Sequence, residues 1–339
     1  MKVKTSLHLC FEFSARLPAK ISLMKTFYEK QTKPILALAP MAGYTNQPFR
    51  RICKFYGADV LYSEMASATA LSYGGKKTLE LLKFSKDERP YVIQLFGNDP
   101  KCFQNAARVV TEKIRPDGID INMGCPAPKV YKTGAGAALF RDQDKAIAII
   151  EETLKGTDLP VSIKIRSRVG KYTAYRFMKK IKDYPLAAVM VHGRSYEKAF
   201  SGPIDYTTIK RIKEIVGYPV IANGGINTPQ DAKIMLEKTG ADGVGIARGA
   251  LKNPWLFLQI KEYLETGEYR EFDLKEIKTA ALRHAKMAQD DMGAHGILEM
   301  RKYLLWYFRG FENAKEFRRK LVEVESLEDV KRTLNMLEG

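Results

Sequence analysis

The sequence around Cys125 combines a thiol with a turn at the end of an apolar stretch. Residues 118–126 read GIDINMGCP, so a strand-like run leads directly into Asn122, Gly124 and Pro126, which favour turns. A turn there would lift the thiol out of the strand, toward whatever the turn surrounds. A buried cysteine that packs as a small hydrophobic side chain is the alternative. We predict that Cys125 takes part in chemistry.

Two glycine turns further along the chain predict a phosphate site. Asn223-Gly224-Gly225 and Ala247-Arg248-Gly249 each follow a short apolar run, and together they offer backbone N–H groups and one fixed cation. Barrels of alternating strands and helices commonly bind phosphate at the loops after their last two strands. Two ordinary glycine turns are the alternative.

Lys164 and Gln94 predict a site for a heterocycle with imide edges, since they offer a cation and an amide that both donates and accepts. A reduced flavin ring carries negative charge near N1 and O2, which a lysine would stabilise. The neighbouring Ile163 and Ile165 indicate an interior strand, which disfavours a surface role for Lys164. His192 either contacts flavin or phosphate or is a structural histidine of an apolar strand.

Eight short apolar runs alternate with longer amphipathic stretches from Ile35 onward, which is typical of parallel strands covered on both faces. Because the strand–helix units follow one another without interruption, we predict a closed (β/α)8 TIM barrel and not an open doubly wound sheet. Chemistry in such barrels lies at the carboxyl ends of the strands. The predicted strands are 35–41, 59–64, 91–96, 118–122, 161–166, 187–192, 220–223 and 243–247.

The pattern changes after the barrel, so we predict three segments. A basic extension of unknown role covers residues 1–33, the TIM barrel covers residues 34–264, and a C-terminal all-α helical domain covers residues 265–339, with its first helix beginning near Asp273. Lys and Arg number 56 against 39 Asp and Glu, and the excess of +17 attracts polyanions such as nucleic acid or an anionic membrane. Basic and aromatic residues alternate between Arg301 and Lys320, which indicates either an RNA-binding surface or a solvated face with a buried aromatic side.

Several patterns exclude other classes of protein. No run approaches the roughly 18 apolar residues of a membrane span, and the four cysteines form no Cys-x-x-Cys pair, so we expect a cytoplasmic protein with neither a metal nor a membrane partner. The glycines between Gly134 and Ala138 lack the strand-turn-helix placement of a dinucleotide fingerprint. We predict that they form a close-packed loop beneath the site and that the chain has no separate nicotinamide-binding domain.

In order and spacing, the motifs at the strand ends resemble those of the tRNA-dihydrouridine synthases, particularly the bacterial B-type group. The resemblance covers roughly Pro34 to Gly339. It rests on APMAGYT at 39–45 with FR at 49–50, SEM at 63–65, QLFG at 94–97, NMGCP at 122–126 with KV at 129–130, KIR at 164–166, HGR at 192–194, NGGI at 223–226, and AR at 247–248 through PW at 254–255.

This resemblance implies an FMN-dependent oxidoreductase that reduces the C5–C6 double bond of chosen tRNA uridines with NADPH or NADH. Hydride would pass from flavin N5 to C6 of uracil, while Cys125 gives a proton to C5. A thiol suits this role because an unperturbed thiol stays largely protonated near neutral pH. The resemblance assigns Pro40, Met41 and Ala42 to the flavin, Gln94 and Lys164 to its ring, Asn223, Gly224, Gly225, Ala247 and Arg248 to its phosphate, and Asn122, Arg166 and Arg194 to uracil.

Removing a stacked uridine from tRNA costs a few kcal/mol, which a basic surface could offset. We expect such an enzyme to act as a monomer. Two features depart from the family pattern: Gly225 stands where relatives commonly have Asp, and the basic extension has no counterpart.

Two other functions stay open at this level. A flavin barrel that reduces a free pyrimidine has a similar Asn-x-x-Cys-Pro turn, although an Asn usually follows that Pro and Ala127 stands there in this chain. A protein that binds RNA but has lost the chemistry would keep the barrel and the basic face. The presence of Cys125, Lys164 and Arg248 argues against the second function.

Overall fold

A computed structural model describes residues 26–199, 201–311 and 315–337. Its strands are β1 Ile35–Leu38, β2 Val60–Ser67, β3 Tyr91–Phe96, β4 Gly118–Met123, β5 Val161–Arg166, β6 Arg168–Val169, β7 Tyr172–Thr173, β8 Ala188–His192, β9 Val220–Asn223 and β10 Gly243–Ile246. Its helices are α1 Gln47–Phe55, α2 Ala68–Ser72, α3 Lys76–Leu81, α4 Pro100–Lys113, α5 Pro128–Lys132, α6 Gln143–Lys155, α7 Ala174–Ile181, α8 Tyr206–Lys213, α9 Pro229–Thr239, α10 Arg248–Lys252, α11 Leu256–Thr266, α12 Leu274–Met292, α13 Ala294–Tyr307, α14 Lys315–Leu321 and α15 Leu327–Asn335.

Eight parallel strands close into a barrel in the order β1-β10-β9-β8-β5-β4-β3-β2, while β6 and β7 form a separate antiparallel hairpin. The predicted (β/α)8 barrel is therefore confirmed, and each of the predicted runs supplies one barrel strand. Two strands differ from the prediction by more than one residue at an end. β1 stops at Leu38, since Pro40 cannot donate to a ladder, and β2 continues to Ser67 past an irregularity in its pairing with β3.

Side chains alternate between the inside and the outside of the barrel along each strand. In β1, Leu36 and Leu38 belong to the large core shared with the surrounding helices, whereas Ile35 and Ala37 belong to a smaller cluster with Tyr28. Both faces are thus buried, which explains the nearly continuous apolar runs in the sequence.

Residues 26–33 pack against the floor of the barrel, although the sequence assigns them to the extension. Tyr28 is only 1% exposed, and its hydroxyl lies 2.6 Å from the Tyr62 hydroxyl inside the barrel. The fold therefore uses this short segment to fill the amino end of the barrel. The rest of the predicted extension, residues 1–25, lies outside the described residues.

The helical segment after the barrel begins where the sequence predicts. Asp273 caps α12 by accepting from the backbone N–H of Glu276, and α12 packs against α13 and α1. The rings of Phe49 and Tyr303 stack with 5.1 Å between their centroids, and so join α1 to α13. The predicted boundary at residue 264 falls inside α11, which contacts α9 of the barrel and ends at Thr266.

Within residues 26–199, 201–311 and 315–337, no helix is long and apolar enough to cross a membrane. The same residues contain no group of three or more His, Cys, Asp or Glu side chains arranged to hold a metal ion.

Candidate active site

A cavity of about 750 Å³ opens at the carboxyl ends of the barrel strands. Every residue that the sequence predicts for the site lines it. Its wall also includes positions that the sequence analysis did not assign, among them Tyr44, Met65, Ala199 and Trp306. Pockets that bind cofactors and substrates commonly have volumes of several hundred Å³. The cavity is therefore the candidate active site, and the individual roles of its residues stay predictions.

The turn after β4 carries Cys125 into the cavity wall. The side-chain oxygen of Asn122 accepts hydrogen bonds from the backbone N–H groups of Gly124 at 3.1 Å and Cys125 at 2.9 Å. Cys125 is half-buried, and its carbonyl accepts from the backbone N–H of Ala137 at 3.1 Å. Asn122 thus fixes the shape of the turn and the starting point of the thiol side chain.

The glycine-rich stretch at 134–138 lies directly under this turn. Gly136 has a φ of +61°, and a Cβ there would come within 3.1 Å of the Cβ of Cys125. A side chain at this position would therefore push on the turn that carries the thiol. The predicted close-packed loop beneath the site is confirmed.

Gln94 is held from both ends of its amide group. Its Nε2 donates to Asp120 Oδ2 at 2.7 Å, and its Oε1 accepts from Asn122 Nδ2 at 2.7 Å. Gln94 and Asn122 are 1% and 6% exposed. Much of the hydrogen-bonding capacity of Asn122, predicted to hold uracil, is therefore used within the protein.

Lys164 reaches across the barrel from β5 toward β9, and its Nζ lies 3.3 Å from Asn223 Oδ1. Burial and, to a smaller extent, the charge of Arg166 lower the pKa of this amine to about 8, although Asp120 and Cys125 act in the opposite direction. The amine is therefore mostly cationic at neutral pH and loses its charge in mildly alkaline solution. Asn223 in turn donates to the carbonyl of Gly245 at 2.6 Å.

The imidazole of His192 is buried among four positively charged side chains. Burial, the largest cause, and the neighbouring charges together lower its pKa to about 2; those charges belong to Lys164, Arg166, Arg194 and Arg248. His192 is thus neutral at physiological pH. The four cations around His192 favour an anionic ligand in this cavity.

The Asn223-Gly224-Gly225 turn brings the backbone close to the cavity. Gly224 and Gly225 have φ values of +112° and +76°, and a Cβ on Gly224 would lie only 2.4 Å from a ring carbon of His192. A side chain at Gly224 is therefore excluded both by backbone conformation and by space. Arg248 follows β10 and also lines the cavity, so the two turns meet as the sequence predicts.

Arg166 and Arg194, both predicted to hold uracil, lie in different settings. Arg166 is 2% exposed and donates to the carbonyl oxygens of Gly124 at 2.7 Å and Ala199 at 2.9 Å. It therefore ties the Cys125 turn to the loop after β8. The guanidinium of Arg194 lies beside the Asn223-Gly224-Gly225 turn, because a Cβ on Gly225 would be 3.4 Å from its Nη2.

The loop after β1 is held by hydrogen bonds with both the barrel and the helical segment after it. The Gly43 N–H donates to the Glu64 carboxylate, and the Tyr303 hydroxyl of α13 donates to the Tyr44 carbonyl. Pro40, Met41 and Ala42 lie in this loop and line the cavity. The position of this wall therefore depends on α13 as well as on the barrel.

Trp306 of α13 brings the helical segment into the cavity wall, with the exposed guanidinium of Arg309 lying 5.0 Å from its ring centre. Tyr303 and Tyr307, by contrast, are buried. The aromatic residues of the basic stretch thus divide between core and cavity. The alternation of basic and aromatic residues in the sequence does not distinguish an aromatic ring of the cavity wall from one of the core.

A family model for dihydrouridine synthases matches residues 37–338 of this chain. The chain belongs to the dihydrouridine synthase family. The resemblance inferred from the motifs is confirmed, and the protein is an oxidoreductase of this family.

Named relatives agree with the family match. The tRNA-dihydrouridine synthase B of Vibrio vulnificus is 36% identical over 300 residues, which cover 87% of this chain and 93% of the relative. The enzyme of the same name from Escherichia coli is 36% identical over 315 residues, covering 91% of this chain and 96% of the relative. The likeness to the bacterial B-type group therefore extends over nearly the whole chain.

More distant solved structures share the fold. A histamine dehydrogenase of a Rhizobium species superposes with a TM-score of 0.52 at 13% identity and covers 75% of this chain. A 6-hydroxypseudooxynicotine amine oxidase of Pseudomonas geniculata gives a TM-score of 0.52 at 11% identity over 76% of this chain. The match spans 49% and 51% of those two chains, respectively.

Proposed function

We propose that this enzyme reduces the C5–C6 double bond of specific uridines in tRNA to 5,6-dihydrouridine, with bound FMN and with NADPH or NADH as the reductant. One observation carries the proposal: the Cys125 turn, Lys164 and the Asn223-Gly224-Gly225 turn line a single cavity. A thiol that can donate a proton, a cation that can bind the flavin ring and a turn that can bind an anion therefore face the same cavity, where one flavin and one uracil could contact all three.

The chemistry of the residues that line the cavity suits a flavin mononucleotide. A phosphate group needs nearby cations and backbone that can approach it closely. The turn at Gly224 and Gly225 offers such backbone beside Arg194, and Arg248 lines the same cavity. The ring needs a cation and an amide on its polar edge, which Lys164 and Gln94 supply from neighbouring walls. We therefore add Arg194 to the proposed phosphate contacts, in place of its predicted contact with uracil.

FMN, when bound, supplies the hydride for C6 of uracil. The side chains of the protein do the rest. Cys125 holds the proton that C5 receives, and Asn122 keeps the turn that presents this thiol in one shape. Lys164 holds positive charge at the polar edge of the ring and so favours the reduced state. Arg166 anchors the carbonyl of Gly124 and keeps the proton donor facing the cavity.

The substrate must reach the cavity as an extracted base, because a stacked uridine hides its C5–C6 bond. Trp306 at the wall offers a flat surface for stacking, and the exposed cations Arg309 and Arg319 lie on the same helical segment. We propose that this segment binds the tRNA backbone. The same proposal takes the enzyme to act in the cytoplasm as a monomer.

The test uses purified protein, FMN, NADPH or NADH, and an unmodified tRNA transcript, with dihydrouridine measured by mass spectrometry of the digested RNA. Formation of dihydrouridine at defined positions is the expected result. Free uridine monophosphate is the matched substrate control. Reduction of the free nucleotide and not of tRNA would replace the proposal with the free-pyrimidine activity, and no flavin binding at all would contradict it.

A further inference from the structure

A chain of hydrogen bonds runs through the interior of the barrel, from its floor toward the active site. The Tyr28 hydroxyl lies 2.6 Å from that of Tyr62 and 3.3 Å from Ser162 Oγ. Ser162 Oγ donates to Asp120 Oδ1 at 2.7 Å. Asp120 is fully buried in the middle of β4, so its carboxylate joins the floor to the residues above it.

The other carboxylate oxygen of Asp120 faces the active site. Gln94 Nε2 donates to Asp120 Oδ2, and Gln94 Oε1 accepts from Asn122, whose own oxygen holds the backbone N–H of Cys125. A half-turn of the Gln94 amide would set its oxygen against the carboxylate and its NH2 against the NH2 of Asn122. Leaving buried polar groups unpaired in this way costs about 1–3 kcal/mol for each group. Asp120 therefore fixes which edge of Gln94 faces which neighbour.

Resting on the proposed function, we propose that Asp120 is a positioning residue for the flavin: it fixes the orientation of the Gln94 amide and supplies the negative charge that keeps Lys164 cationic. The carboxylate does not need to touch the flavin to act in this way. It acts through two side chains that line the cavity: through Gln94 by a hydrogen bond and through Lys164 by its charge.

The charges around Lys164 explain why a buried carboxylate matters here. Lys164 faces Arg166 of its own strand, the Cys125 turn after β4, His192 of β8 and Asn223 of β9. Arg166 lowers the pKa of Lys164, while Asp120 and a Cys125 thiolate would raise it. Burial raises the pKa of Asp120 to about 6, and hydrogen bonds from Gln94 and Ser162 oppose that rise. Asp120 is therefore negatively charged at the pH at which Lys164 begins to lose its proton.

The informative variant is Asp120→Asn, which keeps the size of the side chain and an oxygen that can accept from Gln94 but removes the charge. Tyr28→Phe is the matched control, because it removes a buried hydroxyl from the floor end of the same chain and leaves both hydrogen bonds to Asp120 in place. The measurement is the affinity of each apoprotein for FMN, followed by flavin fluorescence from mildly acidic to alkaline pH. Thermal unfolding of each protein reports whether it is folded.

We expect the FMN affinity of the unaltered protein to fall as the pH rises through about 8, where Lys164 loses its charge. In Asp120→Asn this fall should occur at a lower pH, and more acidic solution should restore the affinity, while Tyr28→Phe keeps the midpoint of the unaltered protein. A purely structural role would lower thermal stability in both variants and leave both midpoints in place.

Coincident midpoints in Asp120→Asn and the unaltered protein would overturn the inference, and so would an affinity for FMN that does not change with pH. Either result can occur in a protein that still makes dihydrouridine in tRNA, so the proposed function would survive. A protein that binds no FMN at any pH contradicts both proposals together. If Asp120→Asn does not fold, Asp120→Glu provides a second measurement: it keeps a negative charge beside Lys164 but displaces the carboxylate from Gln94, so it should weaken FMN binding and leave the midpoint near its original pH.

Discussion

The side-chain oxygen of Asn122 accepts the backbone N–H of Cys125 at 2.9 Å, so the proposed proton donor stands on a turn that its own strand holds in place. Asn122 also donates to Gln94, which lies on the neighbouring strand. The position of the thiol and the position of a predicted ring contact therefore depend on one amide group.

Removing the thiol tests the role of Cys125. Cys125→Ala should keep bound FMN and NAD(P)H oxidation but lose uridine reduction by about 10²–10⁴-fold, the usual contribution of a positioned general acid. The measurement compares flavin reduction by NADPH with dihydrouridine formation in tRNA. Cys102→Ala, at a half-buried cysteine of α4 outside the cavity wall, is the control and should keep both steps. Full product formation by Cys125→Ala would remove the thiol from the mechanism.

Removing the amide that holds the turn should damage the same step without removing the thiol. Asn122→Ala leaves the backbone N–H groups of Gly124 and Cys125 without their acceptor, at a cost of about 1–3 kcal/mol for each buried group. We expect a lower rate of uridine reduction together with a lower unfolding temperature. A variant with normal turnover would show that the turn keeps its shape without Asn122.

The Asn223-Gly224-Gly225 turn, which we propose binds phosphate, should not tolerate a methyl group. Gly224→Ala places a Cβ 2.4 Å from His192 at a φ of +112°, whereas Gly217→Ala, the matched control, meets nothing within 4 Å. Backbone strain of about 1–3 kcal/mol at Gly224 predicts an FMN affinity roughly 5- to 150-fold weaker. Titration of each apoprotein with FMN provides the measurement. Equal affinities in the two variants would place the phosphate elsewhere.

Charge on the helical segment should control tRNA binding. Arg309→Glu and Arg319→Glu change exposed cations, and each should weaken tRNA binding and reduce the slope of log affinity against log salt concentration by about 1–2, because the slope counts neutralised phosphates. Arg115→Glu is the control, since Arg115 is exposed just before β4, at the opposite end of the barrel. An unchanged slope in the first two variants would assign this segment to a solvated face.

The sequence predicts the barrel well, because parallel strands covered on both faces leave a nearly continuous apolar signature. It also predicts which strand ends meet, since closure of eight strands brings all their carboxyl ends into one ring. The sequence analysis predicts no role for Asp120, although a carboxylate in the middle of an apolar strand indicates buried hydrogen-bond partners. Those partners, Gln94 and Ser162, lie on neighbouring strands, and the strand register that aligns them is not written locally in the sequence.

The placement of Arg194 and of Tyr28 shows a different limit. The motif HGR at 192–194 identifies an arginine after a strand, but only the path of the loop after β8 places its guanidinium beside Gly225. Tyr28 lies in a basic, irregular stretch, and nothing local indicates that its ring fills the barrel floor. Both outcomes depend on contacts between segments far apart in the chain.

The most direct test of the proposed function is a map of dihydrouridine, at nucleotide resolution, in tRNA from a host whose own dihydrouridine synthase genes have been deleted. The host would carry this gene, its Cys125→Ala form or an empty vector. We expect dihydrouridine to appear at defined tRNA positions only with the unaltered gene. A soluble, flavin-bound protein that leaves every tRNA uridine unreduced would contradict the proposed function.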